Sequence, residues 1–236
     1  MVSMTEVLTP RTDQLVAEFG ADLGLTDPMI STLRAEETAP RIESMWIGAL
    51  PFMLRTEDYG QIYLPQEFRN KPLDRAADFV AHRTGMWLGD AERRRRVFVT
   101  EESVIRAIHT ERQTDQREIS SLIASRYDHG YISVGVVPLE AGGLPPLPRG
   151  FTLFWNESDE TPQTAYAVSV NVGVGHIQYF EDPAVIKAYS DIQRVLSDLA
   201  LQDEEALQYI GRLDRSIHPY PDPSQSQLTE RTTGYA

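Results

Sequence analysis

Tyr131-Ile132-Ser133-Val134-Gly135-Val136-Val137 reads as the clearest β-strand of the chain. Its β-branched and aromatic side chains fit a pleated, half-buried surface. Three segments of similar character surround it: Val97–Thr100 ahead, and Phe151–Trp155 and Tyr166–Val172 behind. Asn156 to Gln163 spaces the last two as a hairpin with a polar tip. Further out, the periodicity turns helical. Asp13 to Leu23 places Leu15, Val16, Phe19 and Leu23 on one side, and Pro183–Leu201 and Asp203–Leu213 are amphipathic. Strands in the middle and helices at both ends predict an α/β or α+β fold. The expectation is one central mixed sheet of about 4–6 strands flanked by helices.

Boundary signals fill in the rest. Thr26 or Asp27 caps a second helix, with Pro28 in its first turn, running through Met29, Ile30 and Leu33 to Ala39. The apolar run Glu43 to Leu54 reads as helical up to Leu50, since Pro51 disrupts a helix interior. Thr56-Glu57-Asp58 offers another N-cap, with acids set against the helix dipole. Leu73 to Leu88 reads as a helix stopped by Gly89, and Glu101–Ile108 and Asp115–Ser125 as shorter ones. Gly142 to Pro148 is a loop of the kind that borders a site. Gly173 and Gly175 mark a turn. The reading divides the chain into an N-terminal helical extension (1–30), a main domain (31–215) and a flexible Pro/Ser/Gln tail (216–236).

Composition narrows the function. The 236 residues hold 22 Lys plus Arg against 35 Asp plus Glu, a formal net charge of −13, and no Cys. So acidic a chain lacks the electrostatic footprint for duplex nucleic acid and is repelled by anionic lipid. Without Cys there are no disulfides, thiolate metal sites or thiol nucleophiles, which fits a reducing cytoplasm. No apolar run approaches the ~20 residues of a membrane span, and Met1 to Pro10 does not read as a secretory signal. The expected compartment is cytoplasmic.

Several segments together resemble a known family. Leu50-Pro51-Phe52-Met53-Leu54-Arg55-Thr56-Glu57-Asp58-Tyr59 resembles a Pro-Gly-Leu-Leu-Gln-Thr-x-x-Tyr signature, with Phe52 in place of Gly and Arg55 in place of Gln. Val97-Phe98-Val99-Thr100-Glu101-Glu102-Ser103-Val104-Ile105-Arg106 resembles its strand followed by Glu-x-x-Leu-Arg. Gly135-Val136-Val137-Pro138-Leu139-Glu140-Ala141-Gly142 resembles its Val-x-Pro-x-x-x-Gly segment, and Gly150-Phe151-Thr152-Leu153 its Phe-x-Leu strand. Pro183 to Tyr189 is similar to the start of its closing helices. Ser169-Val170-Asn171 stands where the family carries Tyr-x-Glu. The family is the effector-like C-terminal domain of actinomycete Xre-type, antitoxin-like helix-turn-helix regulators. The resemblance implies a domain that senses a small molecule or a partner. A helix-turn-helix head needs about 50–60 residues with a basic recognition helix. Only about thirty residues precede the match, and they are poor in Lys and Arg. A detached sensor domain that does not bind DNA is the expectation.

Catalytic motifs are sparse. His82, His109, His129, His176 and His218 show no paired spacing for a metal, so neither a metal site nor a cofactor is expected. There is no Gly-x-Ser-x-Gly elbow and no P-loop. Gly173-Val174-Gly175-His176 is half of a glycine fingerprint and reads as a strand-end turn. Arg93-Arg94-Arg95-Arg96 is the one cationic concentration. It reads as a solvated helix end, the alternative being a holder of phosphate or carboxylate. Arg55, inside an apolar segment, can orient an acidic or carbonyl group by paired hydrogen bonds or simply bridge to Glu57 or Asp58. Glu102 caps a helix or faces a pocket. Arg55, Glu102 and His176 are the candidate catalytic groups. Trp46, Phe52, Met53, Tyr59, Met86, Trp87, Phe154, Trp155 and Asn171 are the candidate ligand-binding residues, most of them of the types that line apolar pockets and cores alike.

Three functions follow as expectations. The first is a stand-alone domain binding a largely apolar small molecule with one or two polar handles. The second is a cofactor-independent cyclase, cycloaddition catalyst or isomerase of a natural-product pathway, which needs a shaped pocket more than a nucleophile. The third is a regulatory or antitoxin-like protein with a protein partner or a second copy of itself, without nucleic acid or membrane.

Overall fold

In the computed structural model, the described residues are 11–89, 93–114, 119–141, 150–155, 164–169 and 176–217. The chain opens with α1 (Arg11–Leu23) and α2 (Asp27–Thr38), then enters the first strand, β1 (Arg41–Trp46). A 3-10 turn at Phe52–Leu54 leads to α3 (Glu57–Glu67) and α4 (Leu73–Leu88), which carry the chain to β2 (Arg94–Thr100). α5 (Glu101–Thr114) and α6 (Ile119–Asp128) carry it on to β3 (Ser133–Val137). The strands β4 (Gly150–Trp155), β5 (Thr164–Ser169) and β6 (His176–Phe180) follow, then α7 (Pro183–Leu199), the two-residue β7 (Leu201–Gln202) and α8 (Asp203–Ile217).

The seven strands of the described residues form one mixed sheet in the order β6-β5-β4-β1-β2-β3-β7. β1, β2 and β3 are parallel neighbours, each joined to the next by a helical pair. β4 returns antiparallel on the other side of β1, and β5 and β6 extend that meander. The fold is therefore α/β with helices at both ends, and its seventh strand is only two residues long.

Register separates the two faces. Ile42, Val97, Val99, Val134, Val136 and Phe154 point to one side, where Trp87, Val104, Ile108, Ile123 and Ile210 from α4, α5, α6 and α8 cover them. Met45, Phe98, Val137, Phe151, Leu153 and Trp155 point to the other side, under Ile186 and Leu196 of α7. Consecutive parallel crossovers of one hand place their helices on one face, which leaves the opposite face to α7. A third cluster joins α1 to α2, α3 and α4 through Leu15, Phe19, Leu33, Leu64 and Phe79. The faces are close-packed. A Cβ on Gly135 would lie 2.4 Å from the Phe98 ring across the β2–β3 pair.

The structure corrects two readings. Residues 41–46 form the central strand, where the sequence pattern reads as helix. Four successive residues, Ile42 to Met45, are buried, so the period-two alternation that marks a strand is absent. Arg94, Arg95 and Arg96 belong to β2, not to a helix end. α1 also starts earlier than its apolar period, at Arg11, because the Glu37 carboxylate accepts the Arg11 and Thr12 amide protons at 2.7 and 3.0 Å. Burial works against the charged Glu37, but the hydrogen bonds from Thr12 and Arg11 prevail and hold its carboxyl below the usual range. The hairpin tip at 156–163, the loop at 142–148, the turn at Gly173 and Gly175 and the tail from residue 218 lie outside the described residues.

Candidate functional site

The segments that carry the family resemblance meet at one end of the sheet, where β1, β2 and β3 run into their helices and β4 begins. Their polar groups there are mutually satisfied. The Thr100 and Ser103 hydroxyls lie 2.8 Å apart, and Ser103 Oγ accepts the Gly48 amide proton at 2.8 Å. Glu101, buried, accepts the Leu139 N–H at 2.8 Å and the Tyr209 O–H at 2.7 Å. Burial first, then the bond to Glu101, pushes the Tyr209 hydroxyl up to about 12. This latch ties α5, α8 and the turn after β3 together.

The three candidate catalytic groups stand at separate places in the fold. The Arg55 side chain is only 5% exposed. It donates from Nε to the Leu50 carbonyl at 2.7 Å and from Nη2 to Glu67 at 2.7 Å, and lies 5.1 Å from the centre of the Tyr63 ring. Its ion-pair partner is Glu67 of α3. Arg55→Ala is expected to lower stability by about 1–3 kcal/mol, since the buried Leu50 carbonyl loses its donor. Thermal denaturation measures the loss, and ligand affinity of the folded fraction should stay unchanged. Glu102 is exposed on α5 and pairs with Arg106 one turn on, at 2.6 Å. His176 takes a backbone place in β6, opposite Ser169. Its side chain and all of Asn171 lie outside what the structure describes.

The aromatic candidates do not share one cavity. Phe52, Met53, Tyr59, Trp87 and Phe154 belong to the helix-rich face, with Trp46 packed against them. The Phe52 and Trp87 rings meet edge to face at 6.2 Å. Tyr59 Oη accepts the Leu50 amide proton at 3.3 Å. Burial, then the bond with Tyr63, raises its hydroxyl above the usual phenol range. Met86 sits in the helical cluster and lines a groove of about 570 Å³ with Arg11, Leu15, Glu18 and His82. Trp155 alone packs on the α7 face.

Trp155 leads to the arrangement that sequence reasoning placed elsewhere. The amino ends of β1, β2 and β3 frame a cleft of about 490 Å³. Arg41 and Glu43 enter it from β1, and Arg93 to Arg96 from β2 and the residue before it. Ile42, Gly130, Ile132 and Ser133 complete the wall. The register makes Arg41 the neighbour of Arg94 on one side and of Trp155 on the other. Glu43 is flanked by Arg96, which is itself opposite Ser133. Strand alternation puts Arg41, Glu43, Arg94, Arg96, Ser133 and Trp155 on the α7 face and Arg95 on the other.

Most of these cations also serve the fold. Arg41 stacks on Trp155, 4.1 Å from the ring centre, and donates to Glu43 Oε1 from Nη2 at 2.8 Å and Nε at 3.3 Å. Arg93 donates to the Glu36 carbonyl at 3.3 Å. Arg95, buried, lies 5.7 Å from the centre of the Trp87 ring. Arg94 and Arg96 differ. Arg94 is exposed and Arg96 half-buried, and neither side chain makes a hydrogen bond or ion pair among the described residues. On the same face α7 buries the Gln193 amide, whose two polar atoms have no partner among the described residues. The signal for this site was the arginine run itself. Its assignment to strand geometry was the missing step.

Among the described residues, no three His, Asp or Glu side chains stand close enough to hold a metal ion. None of the described helices is long and apolar enough to cross a membrane.

A mixed α/β sheet with a cationic cleft at the amino ends of its parallel strands defines the structural class. Residues 30–212 match the family model described as Domain of unknown function (DUF5753), and the chain belongs to that family. No curated protein and no solved structure matches it.

Proposed function

We propose that the chain is a small-molecule-binding domain, of the kind that serves as the effector half of Xre-type regulators, and that it acts by binding rather than by catalysis. The observation that carries this reading is the cleft with Arg94 and Arg96 in its lining. Two guanidinium groups stand at a cavity, and neither makes a hydrogen bond or ion pair among the described residues. Its volume, about 490 Å³, lies within the ~300–1,000 Å³ usual for ligand pockets. The arginines receive the polar handle of the ligand.

The positions of the catalytic candidates support binding over chemistry. Arg55 is held between Leu50 and Glu67, and Glu102 is paired in solvent with Arg106. Titration of a metabolite library against the protein, followed by mass spectrometry of the bound compound, tests the reading. Saturable binding with the compound recovered intact is the expected result. Conversion with turnover would overturn it in favour of a pathway enzyme.

A further inference from the structure

We infer that the handle taken by the cleft is a phosphoryl group, so that the ligand is a small phosphorylated metabolite held by Arg41, Arg94 and Arg96. The inference rests on the binding-domain reading above and names its ligand class.

Arg41 and Arg94 are cross-strand neighbours, and Arg96 stands two residues further along β2 beside Ser133. Adjacent strands lie about 4.8 Å apart, and residues two apart on one strand about 6.6 Å. The three arginines therefore spring from a compact triangle on one face of a rigid sheet. A carboxylate is planar, carries one charge, and is satisfied by the fork of a single arginine. A phosphate monoester carries roughly −1.5 to −2 charges near neutrality and three strong acceptor oxygens. It can engage several guanidinium groups together.

One carboxylate is already in place. Glu43, buried, accepts from Nε and Nη2 of Arg41 and holds that guanidinium against Trp155. Arg41 is thereby set in orientation before any ligand arrives, which lowers the entropy lost on binding. Arg94 and Arg96 keep their donors for the ligand, and Ser133 adds a hydroxyl position next to Arg96. The five arginines of the cleft belong to a chain whose formal net charge is −13. The surrounding acidity favours a small anion in the cleft over an extended polyanion, whose flanks would be repelled.

The test is isothermal titration of the full chain with phenyl phosphate and with benzoate, two aromatic anions differing in the charged group, at fixed ionic strength. Inorganic pyrophosphate and a DNA duplex are the further arms. Phenyl phosphate is expected to bind at least about tenfold more tightly than benzoate. Pyrophosphate should compete with it. R94Q/R96Q should weaken phenyl phosphate by about tenfold or more, and leave the melting temperature of the free protein unchanged. Equal affinity for benzoate, undiminished binding by R94Q/R96Q, or absence of binding by both phosphates would overturn the inference. Preferential capture of duplex DNA would overturn it as well. If other metabolites bind wild type and R94Q/R96Q alike, the phosphoryl assignment fails and the binding-domain reading stands. Release of phenol and inorganic phosphate would leave the site assignment intact and sink the non-catalytic reading.

Discussion

Arg83→Met is expected to destabilise the protein by about 3–5 kcal/mol. Arg83 on α4 meets Glu36 on α2 in a two-pronged pair, Nη2 to Oε1 at 2.6 Å and Nε to Oε2 at 2.9 Å. Glu36 is 0% exposed, so removing its partner strands a carboxylate in the interior. The loss corresponds to a fall in Tm of roughly 10 °C for a chain of this size. Replacing both members, Glu36→Leu with Arg83→Met, should recover most of the stability, because a buried pair contributes little more than apolar packing of similar volume. A single Arg83→Met variant that melts within a degree of the wild type would refute this account. The pair also matters to the cleft. The Glu36 carbonyl accepts from Arg93, and the Pro40 carbonyl accepts from the Arg94 amide at 2.9 Å, so the end of α2 anchors the start of β2.

Trp87→Ala carries the second large effect, about 3–5 kcal/mol by urea denaturation. Trp87 is 1% exposed and packs edge to face with Phe52 beneath the helix-rich side of the sheet. Its removal opens a cavity that rigid strands on one side and helices on the other cannot close. Arg95 also loses the ring beneath it, but Arg95 points to the face opposite Arg94 and Arg96, so the affinity of the folded protein for phenyl phosphate should change little. Trp87→Phe should recover a good part of the loss. A Trp87→Ala variant that keeps its stability and loses ligand would make Trp87 a pocket wall instead of a core residue.

Much of the helical frame was legible because its signals are local. Leu73 to Leu88 is the run read from apolar spacing and a following Gly, and α4 spans those residues. Pro28 behind Thr26 marks the start of α2, and Asp182 caps α7 by accepting the Ala184 and Val185 amide protons. The central strand was not legible for a physical reason. Burial on both faces erases the alternation that distinguishes Ile42–Met45 from one side of a buried helix. β6 was missed as well.

The cleft was the hardest feature to read. Arg93 to Arg96 is conspicuous in the sequence, but its meaning depends on Arg94 and Arg96 facing one side of a strand and Arg95 the other. That assignment needs the register with Arg41, and register is a property of distant pairing rather than of local composition. The aromatic residues mislead in the opposite direction. Trp87, Phe154 and Trp155 look alike as apolar lining, yet the pleat sends Phe154 and Trp155 to opposite faces.

The place of β1 between β2 and β4 has a consequence for biosynthesis. Arg41 pairs with Arg94 on one side and with Trp155 on the other, so both neighbours of the central strand are made after it. At roughly 5–20 residues per second, β4 leaves the ribosome some 5–25 s later than β1. For that interval Ile42 to Met45 is a strand with an unfilled edge whose Ile42 and Met45 await their covering, and loop closure over so long a span slows the final pairing. Translation that halts before Gly150 leaves the middle of the sheet open on that side, a substrate for chaperones or for self-association.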